Sequence, residues 1–390
     1  MKILFNNEPF ESPHFCGVNK HWGIVFNNLY PLHTLLEPVY IRNPFIDQNI
    51  FPRSIFYRNG LFYRNQKPLK VLNFLAKIGL RKKIRDNLIH QNKKLFLRRI
   101  KKNNFDILHI DFCESPSLKL VDRIVRHVTM PILVLVHDVI INHKIPSDND
   151  DYKNERLSLK RQKLLTVATK ILTISNQSKK DLVNFFKIAE EKIAVVYNCY
   201  EKTSSKPCPE ALPAQYILYI GKRHDHKNFL FFLTSIRDIL LTQKIKLVFT
   251  LSNFNDYERS YISALGLLDC CVLINSQNEE TLAHLYENAL CCAVPSLYEG
   301  FGMITVEAMN YGCPVAISDI AIMREIGGDA ALYFNPLEQK SIYETIKKLV
   351  DDEALRHKMK GLGLERSKDF NKEKMITHLQ DLYSNIVRQN

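Results

Sequence analysis

Residues 296–309, SLYEGFGMITVEAM, decide the fold of the second half of this 390-residue chain. The apolar run before them predicts a strand that ends near Val294, and the residues after the turn predict a helix over 302–311. Gly300 and Gly302 lie in the turn, where glycine lets the backbone approach a ligand closely. The amides that open a helix face anions, so the stretch predicts a phosphate-binding turn.

Two carboxylates belong to this segment. Glu299 lies in the turn, and Glu307 lies about one and a half turns into the predicted helix. Both can accept hydrogen bonds from sugar hydroxyls. The ordinary alternative is a strand, a turn and a helix that carry one surface glutamate.

Short apolar runs alternate with longer amphipathic runs along the rest of the chain, which is typical of βα units with parallel sheets. The pattern predicts strands over 2–5, 107–110, 131–137, 170–174, 193–197, 216–220, 246–250, 271–274, 292–294, 314–317 and 331–334. It predicts helices over 19–29, 69–100, 116–126, 156–168, 178–186, 229–241, 257–267, 279–290, 302–311 and 339–350. A stretch with three prolines and no apolar periodicity separates the two halves.

This order predicts an α/β protein with two Rossmann-like domains that face each other across a cleft, as the length also favours. We expect an N-terminal domain over 1–200 and a linker over 201–214. A C-terminal domain follows over 215–370. A final helix over 371–390 is a candidate for packing back on the first domain. Ligands of open α/β sheets bind at the carboxyl ends of strands, so the cleft is the expected site.

A second candidate segment covers residues 219–229, YIGKRHDHKNF. A predicted strand ends, Gly221 follows, and Lys222, Arg223 and Lys227 can neutralise a diphosphate. The spacing matches neither a Walker loop nor a G-x-G-x-x-G fingerprint. A basic loop in water is the alternative. The neighbouring residues His224 and His226 have no paired ligands nearby in sequence, so no metal site is predicted.

Two weaker features lie in the first half. His137 and Asp138 follow a strongly apolar run and are expected at the carboxyl end of a buried strand, where active sites form. A lone histidine at such a place is more often structural than catalytic. Residues 15–19, FCGVN, form a short loop that opens a helix, and its Gly17 can line the cleft.

Taken in order, these features resemble the retaining glycosyltransferases of family 4, which have the GT-B architecture. The E-x7-E motif of that family corresponds to Glu299 and Glu307, and a G-x-P-V sequence follows at 312–315. Further family segments are resembled by residues 172–182, 196–198 and 220–228 and by the pair His137-Asp138. The resemblance covers nearly the whole chain, from Gly17 to about Ala331. It implies that the N-terminal domain binds the acceptor and that the C-terminal domain binds the nucleotide-sugar donor.

The resemblance implies a role for each candidate residue. Glu307 is expected to bind the ribose of the nucleotide, and Glu299 to contact hydroxyls of the transferred sugar. Arg223 and Lys227 are expected to stabilise the departing diphosphate, and His137 to contact the donor sugar near the reacting carbon. The other residues expected to hold the donor are Gly17, Gly221, Gly300, Phe301, Gly302 and Met303.

Two departures from the family pattern affect these roles. The loop after the first strand keeps only Cys16-Gly17 where the family often has two glycines. The family's basic residue commonly sits directly after the glycine of the second segment. Lys222 and Arg223 are therefore both candidates for the diphosphate contact.

The implied reaction is retaining transfer of a hexose, with mannose as a candidate, from a GDP- or UDP-linked donor to a glycan or lipid-linked acceptor. Synthesis of a bacterial surface polysaccharide or lipopolysaccharide is the expected context. Fixed cations and helix amides at the diphosphate stabilise the charge that develops as the sugar–phosphate bond breaks, so neither a metal nor a cofactor is expected. Front-face attack and a covalent intermediate are not distinguished.

Two alternatives share the architecture. A sugar-nucleotide epimerase would use the same nucleotide site but needs acid and base groups for the sugar ring, and no clear set is visible. An inactive glycosyltransferase-like binding protein is the other alternative. The retained Glu299, Glu307, Arg223 and Lys227 argue against it.

Positive charge is concentrated in the first half of the chain. Residues 1–200 contain 33 Lys and Arg against 17 Asp and Glu, whereas residues 201–390 contain 21 against 24. Residues 58–102 hold fifteen basic residues and one acid. This block predicts contact with an anionic membrane surface, and a solvated lysine-rich helix face is the alternative. No nucleic-acid-binding module matches it, so no nucleic-acid partner is expected.

The remaining composition favours a cytoplasmic protein, peripheral on the inner face of the membrane. No stretch of about 18 apolar residues occurs, and the N-terminal residues do not resemble a secretory signal. The nine cysteines are scattered without a C-x-x-C pair, which predicts reduced thiols rather than disulfides.

Overall fold

In the computed structural model the chain forms two compact units. The first unit contains residues 1–142, 149–197 and 375–390, and the second contains residues 143–148 and 198–374. The structure describes residues 1–5, 17–29, 34–35, 40–41, 46–47, 54–58, 61–64, 67–102, 104–111, 118–138, 162–208, 210–223, 225–250, 252–274 and 278–389.

The described strands of the first unit form two sheets. In chain order they are β1 Lys2–Phe5, β2 Thr34–Leu35, β3 Tyr40–Ile41, β4 Ile55–Arg58, β5 Leu61–Arg64, β6 Lys67–Pro68, β7 Ile107–Asp111, β8 Ile132–Val136, β9 Lys170–Thr173 and β10 Ile193–Val195. The larger sheet is parallel and has the order β10-β9-β8-β7-β1-β2. The smaller sheet has the order β3-β4-β5-β6, and its pairs β4–β5 and β5–β6 are antiparallel.

The strands of the second unit form one parallel sheet. They are β11 Tyr216–Tyr219, β12 Lys246–Thr250, β13 Cys271–Ile274, β14 Cys291–Val294, β15 Val315–Ser318 and β16 Ala331–Phe334. Their order is β13-β12-β11-β14-β15-β16, which is the strand order of a Rossmann fold. The chain leaves β11 toward β13 and returns to β14, so the order reverses between β11 and β14. Ligands of such sheets bind at this reversal.

The described helices alternate with these strands. They are α1 Gly17–Leu29, α2 Lys70–Leu75, α3 Arg81–Lys102, α4 Leu118–His127, α5 162–167, α6 Asn176–Phe186, α7 Phe229–Ser235, α8 Arg237–Thr242, α9 Asp256–Ala264, α10 Glu279–Asn288, α11 Met303–Asn310, α12 Ala321–Gly327, α13 Gln339–Asp351, α14 Glu353–Ser367 and α15 Lys372–Arg388. Short 3-10 turns lie at Glu190–Lys192, Asp225–Lys227, Leu268–Cys270, Gly328–Ala330 and Lys368–Phe370.

Apolar runs form the strands because parallel sheets are covered on both faces. Every residue of β8 is buried, as is every residue of β11 and β14. In the second unit, Phe232 and Leu233 of α7 pack with Ile217 of β11 and Phe249 of β12 in the core. The first unit has its own core, in which Phe96 and Ile100 of α3 pack with Leu108 and Val134.

The long amphipathic run at 69–100 does not form one continuous helix. A π-helical segment, Ala76–Leu80, separates α2 from α3, and Gly79 within it has a φ of 86°. That backbone conformation suits glycine, because a Cβ atom would disfavour it. The interruption lets Leu72 and Ala76 pack with Leu88 of α3 in a small separate cluster.

Candidate active site

Two loops of the second unit meet where the strand order reverses. One follows β11 and the other follows β14, and these strands are neighbours in the sheet. The ammonium of Lys227, in the first loop, forms an ion pair with Oε1 of Glu299 in the second. The hydroxyl of Ser296 donates to the same oxygen at 2.8 Å. The structure thus brings two predicted site residues from distant parts of the sequence into direct contact.

The glycines of these loops occupy backbone conformations that other residues seldom adopt. Gly221 has a φ of 115°, and Gly302 has a φ of 90° and caps α11. A Cβ atom on Gly221 would lie 3.5 Å from the side chain of Ile304, in the first turn of α11. A Cβ atom on Gly302 would lie 3.1 Å from Sδ of Met323. The two loops therefore approach each other closely at the start of α11.

The residues around Gly302 differ in what they can offer a ligand. Met303 begins α11, and the first amides of a helix have no carbonyl partner within that helix. The ring of Phe301 is buried and packs edge-on against Phe370 with centroids 5.8 Å apart. Phe301 can therefore hold a donor only through its backbone, as expected for the 300–303 segment.

Glu307 lies on α11, one residue beyond the first full turn of the helix. The hydroxyl of Tyr286, on α10, donates to its Oε2 atom at 3.0 Å. Burial, and then the charge of Glu307, raise the pKa of Tyr286 well above its ordinary value, so this hydroxyl keeps its proton. The carboxylate is held by a buried donor that sequence reasoning did not identify.

Arg223 is engaged by groups of the segment that follows β12. Its guanidinium donates to Glu258 from Nε at 2.8 Å and from Nη2 at 3.1 Å. It also donates to the carbonyls of Ser252 and Asn253, at 3.1 and 2.8 Å. The side chains of Arg223 and Glu258 are only 6% and 8% exposed.

The Arg223 guanidinium also lies over three phenylalanine rings, those of Phe229, Phe249 and Phe254. Lys222, by contrast, is exposed.

His137 belongs to the first unit, where it follows β8 directly. Its Nε2 atom lies 3.4 Å from Oδ1 of Asp111, the last residue of the neighbouring strand β7. The indole of Trp22 donates to the other oxygen of Asp111. The ring of His21 stands edge-on to that of His137, with centroids 5.6 Å apart. Asp111 thus places a negative charge beside His137 within a buried group of side chains.

A third buried histidine lies in the same strand as Asp111. Nδ1 of His109 is 2.7 Å from the hydroxyl of Tyr383, on α15. Burial, and secondly the neighbouring His137, lower the pKa of His109 to about 3, so its ring is neutral at pH 7. This contact joins α15 to the sheet of the first unit.

Several functional candidates were missed because they lie outside the motifs. Asp111 has a signal in the sequence, since it ends an apolar strand as His137 does. Glu258 and Tyr286 have no such signal in the sequence, because each reaches the site from a helix that lies outside the predicted motifs. Gly17 is the first residue of α1, two residues before the predicted start of that helix. Cys16 and His224 lie outside the described residues.

Two negative findings apply to the described part of the chain. No helix there is both long and apolar enough to span a bilayer. No group of three or more His, Cys, Asp and Glu side chains there is arranged to hold a metal ion.

Two family models match the chain in succession. The model for glycosyltransferase family 4 matches residues 65–203, and the model for group 1 glycosyl transferases matches residues 201–363. The second match contains both the Lys227–Glu299 pair and Glu307. The chain therefore belongs to the group 1, family 4-like glycosyltransferases.

The chain is similar to two proteins named as O-antigen chain mannosyltransferases. O-antigen chain mannosyltransferase B of Escherichia coli is 26% identical over 69% of this chain and 73% of its own length. O-antigen chain mannosyltransferase RfbU of Salmonella typhimurium is 28% identical over 46% of this chain, and the match spans half of that relative.

Solved structures show the same fold at low sequence identity. Sucrose-phosphate synthase from Thermosynechococcus elongatus matches with a TM-score of 0.73 and 16% identity over the full length of both chains. Anabaena Alr3699/HepE, in complex with UDP and glucose, matches with a TM-score of 0.66 and 14% identity, over 99% of this chain and 100% of its own. The predicted fold class, GT-B with two Rossmann-like domains, is confirmed.

Proposed function

We propose that this glycosyltransferase transfers a hexose, with retention of configuration, from a GDP- or UDP-linked donor to a glycan or lipid-linked glycan acceptor. The observation that carries the proposal is the Lys227–Glu299 pair beside the glycine-capped start of α11. It joins a cation, a carboxylate and helix amides at the reversal of a Rossmann-like sheet. A nucleoside diphosphate and a sugar need these three groups together.

The ion pair suggests how the site accepts its donor. Lys227 and Glu299 neutralise each other in the structure, so neither charge stands alone in a partly buried loop. When the donor binds, its diphosphate accepts from Lys227 and the sugar hydroxyls donate to Glu299. The ammonium then stabilises the negative charge that grows on the diphosphate as the sugar–phosphate bond breaks.

Lys222 is the better candidate for the second phosphate contact. It is exposed and directly follows Gly221, where the family's basic residue commonly sits. Arg223 is committed to Glu258 and to two carbonyls, so using it for phosphate would break a buried ion pair. We assign Lys222 and Lys227 to the diphosphate and Arg223 to holding the loop that carries them.

His137 is assigned to the donor sugar near the reacting carbon. Asp111 lies beside its Nε2 atom and favours one orientation of the ring. A histidine held in this way can accept or donate a hydrogen bond to a sugar hydroxyl without first losing rotational freedom. Glu307 is assigned to the ribose of the nucleotide.

The relatives suggest the context of the reaction. Both mannosyltransferases described above act on O-antigen chains by name. We therefore propose mannose as the first donor sugar to test and a bacterial surface polysaccharide as the product. We place the protein in the cytoplasm, where nucleotide sugars are made.

Donor cleavage in the absence of acceptor tests this function. Proton NMR of GDP-mannose and of UDP-hexoses with the protein should show release of the free sugar, and the first anomer formed should match that of the donor. Glu299→Ala and Lys227→Met should each slow cleavage by about 100-fold or more. Lys340→Met, an exposed lysine on α13, should not. Release of the opposite anomer, or equal rates in all variants, contradicts the proposal.

We further propose that the first unit binds an anionic membrane surface through α2 and α3. On α3, the buried residues recur every four positions from Leu88 to Ile100. Four exposed basic residues lie on the opposite side of the helix, namely Lys83, Lys94, Arg98 and Lys101. On α2, Val71 and Phe74 are 72% and 63% exposed, one turn apart, with Lys70 and Lys77 nearby. Apolar side chains among lysines suit a bilayer interface.

Vesicle sedimentation separates a membrane role from a solvated basic face. The wild type should bind vesicles that contain phosphatidylglycerol and should not bind pure phosphatidylcholine. Replacing Val71 and Phe74 together by Ser should weaken binding by about tenfold or more. Leu337→Ser is the matched control, because Leu337 is 73% exposed but lies in the second unit. A wild type that does not bind phosphatidylglycerol vesicles would show that the basic face is only solvated, and equal binding of the two variants would show that Val71 and Phe74 do not contact the bilayer.

A further inference from the structure

The Glu307 carboxylate stands at one end of a stack of buried tyrosine rings in the second unit. Tyr286, on α10, donates its hydroxyl to Oε2 of Glu307 at 3.0 Å. The ring of Tyr311, which directly follows α11, stacks on that of Tyr286, with centroids 5.7 Å apart and planes 7° apart. Tyr286 is fully enclosed, with 1% of its surface exposed.

The other end of the stack is held by residues that precede β11. The hydroxyls of Tyr200 and Tyr311 are 3.0 Å apart, and the amide of Thr203 donates to the Tyr311 hydroxyl at 3.0 Å. The Lys202 ammonium lies 5.1 Å from the centre of the Tyr311 ring. The Tyr311 ring is therefore fixed by contacts at its edge and on its face. Its stacking partner Tyr286 has little room to tilt.

A carboxylate that accepts a fixed hydrogen bond has lost part of its rotational freedom before a ligand arrives. Fixing a freely rotating glutamate side chain in a single orientation costs rotamer entropy. If the protein has already fixed that orientation, the ligand does not have to, and it binds more tightly. The buried Tyr286 hydroxyl fixes the Glu307 carboxylate in this way.

We propose that Tyr286 is a positioning residue for nucleotide recognition, which holds the Glu307 carboxylate in the orientation that receives the ribose hydroxyls, and that Tyr311 braces it. The inference rests on the ribose role proposed above for Glu307. It assigns the site to ribonucleoside diphosphates, because only they present two hydroxyls to an oriented carboxylate. Tyr286 itself touches no ligand.

The second unit offers a matched control for the loss of one tyrosine hydroxyl. Tyr216 is also buried, and its hydroxyl donates at 2.7 Å to the carbonyl of Leu285, the residue before Tyr286 on α10. Tyr216→Phe and Tyr286→Phe thus each remove one buried hydroxyl whose hydrogen bond involves the same turn of α10, as acceptor in the first case and as the donor's helix in the second. Only the second removes a hydrogen bond to Glu307.

Calorimetric titration with GDP, UDP and their 2′,3′-dideoxy forms tests the proposal. For whichever base binds the wild type, Tyr286→Phe should raise the Kd of the ribonucleotide by about tenfold, since the ligand must then fix the Glu307 carboxylate itself. The Kd of the dideoxy form should stay within about twofold, because it offers Glu307 no hydroxyls. Tyr216→Phe should leave both affinities within that range. Tyr311→Phe keeps both rings and should give a smaller rise, so it serves if Tyr286→Phe is poorly folded.

The possible failures can be told apart. If Glu307→Ala binds the ribonucleotide as the wild type does, the ribose role of Glu307 is wrong and the inference falls with it. If Glu307→Ala binds weakly but Tyr286→Phe and Tyr311→Phe bind normally, the ribose role stands and the positioning role is overturned. It is also overturned if Tyr286→Phe weakens the ribo and dideoxy forms equally, because that is the result of a merely structural change.

Discussion

Arg223 and Lys222 show how adjacent residues of one sequence motif can have different tasks. Both are basic, and the motif alone leaves open which of them meets the diphosphate. The structure buries the guanidinium of Arg223 against Glu258, where an arginine can donate to both carboxylate oxygens. A lysine cannot form that pair of bonds, so the two residues are not interchangeable at this place.

This difference predicts opposite effects of two substitutions. Arg223→Met leaves Glu258 charged, buried and without its partner, which should lower the free energy of unfolding by about 3–5 kcal/mol. Lys222→Met removes an exposed charge and should change stability by less than about 0.5 kcal/mol while slowing donor cleavage at least tenfold. Chemical denaturation and the NMR cleavage assay measure the two effects. A stable Arg223→Met protein with impaired cleavage would show instead that Arg223 contacts the diphosphate.

His109 predicts how the stability of the first unit depends on pH. Its pKa is about 3 in the folded chain and near 6.5 in an unfolded one, so the unfolded state binds the proton more readily. The stabilising effect of the neutral ring is fully present above pH 6.5. It is lost as pH falls from 6.5 toward 3, by about 1.4 kcal/mol per pH unit.

Denaturation at pH 7 and pH 5 checks this prediction. Trp22 is the single tryptophan of the chain, and its ring centroid lies 5.1 Å from that of His109. Its fluorescence therefore reports unfolding around His109. Between the two pH values the wild type should lose about 2 kcal/mol more stability than His109→Asn, which cannot titrate. An equal loss in both proteins would show that His109 is not the titrating group.

The turn before α11 is the element on which the donor site depends most. Gly302→Ala puts a Cβ on a residue with a φ of 90° and 3.1 Å from Met323. Strain of about 1–3 kcal/mol should result, and shifted amides at the start of α11 should raise the Kd of the nucleotide. Gly361→Ala in α14 is the control, because its Cβ meets nothing within 4 Å and alanine favours a helix. Equal nucleotide affinities in both variants would contradict a donor role for the turn.

Elements that carry a buried apolar run could be predicted from sequence, often to the residue. The strands at 2–5, 246–250, 271–274 and 331–334 have the predicted bounds. The short strands β3–β6 were missed, because they are two to four residues long and several of their residues are charged or aromatic. Helices α12 and α14 were missed as well. The break between α2 and α3 depends on the single residue Gly79, which periodicity alone does not mark as special.

At the candidate site, the residues proposed to contact a ligand were easier to predict from the sequence than the residues that support them. Glu299 and Lys227 were predicted from loop position and charge, and they are paired in the structure. The supporting residues Glu258, Tyr286 and Asp111 reach these positions through the tertiary fold. A single sequence does not show which of these residues meet in the fold, because the two partners of each contact are at least 21 residues apart.

The chain divides its chemistry between two units with different charge. The first unit carries His137 and the basic helices α2 and α3, and residues 1–200 hold the whole excess of positive charge. The second unit carries Lys227, Glu299 and Glu307. We interpret this division as a specialisation, in which the proposed acceptor and membrane contacts and His137 belong to the first unit, and the proposed contacts to the nucleotide of the donor belong to the second.

Nucleotide recognition by the second unit is the claim on which this account depends. A thermal-shift screen of wild type and Glu307→Ala with GDP, UDP, ADP, CDP and dTDP tests it most directly. A diphosphate at about 100 times its Kd should add about 2.7 kcal/mol of stability to the wild type, for one base above the others. Glu307→Ala should lose most of that shift. If no nucleotide stabilises the wild type, the chain keeps the glycosyltransferase fold without donor binding, and the proposed function is wrong.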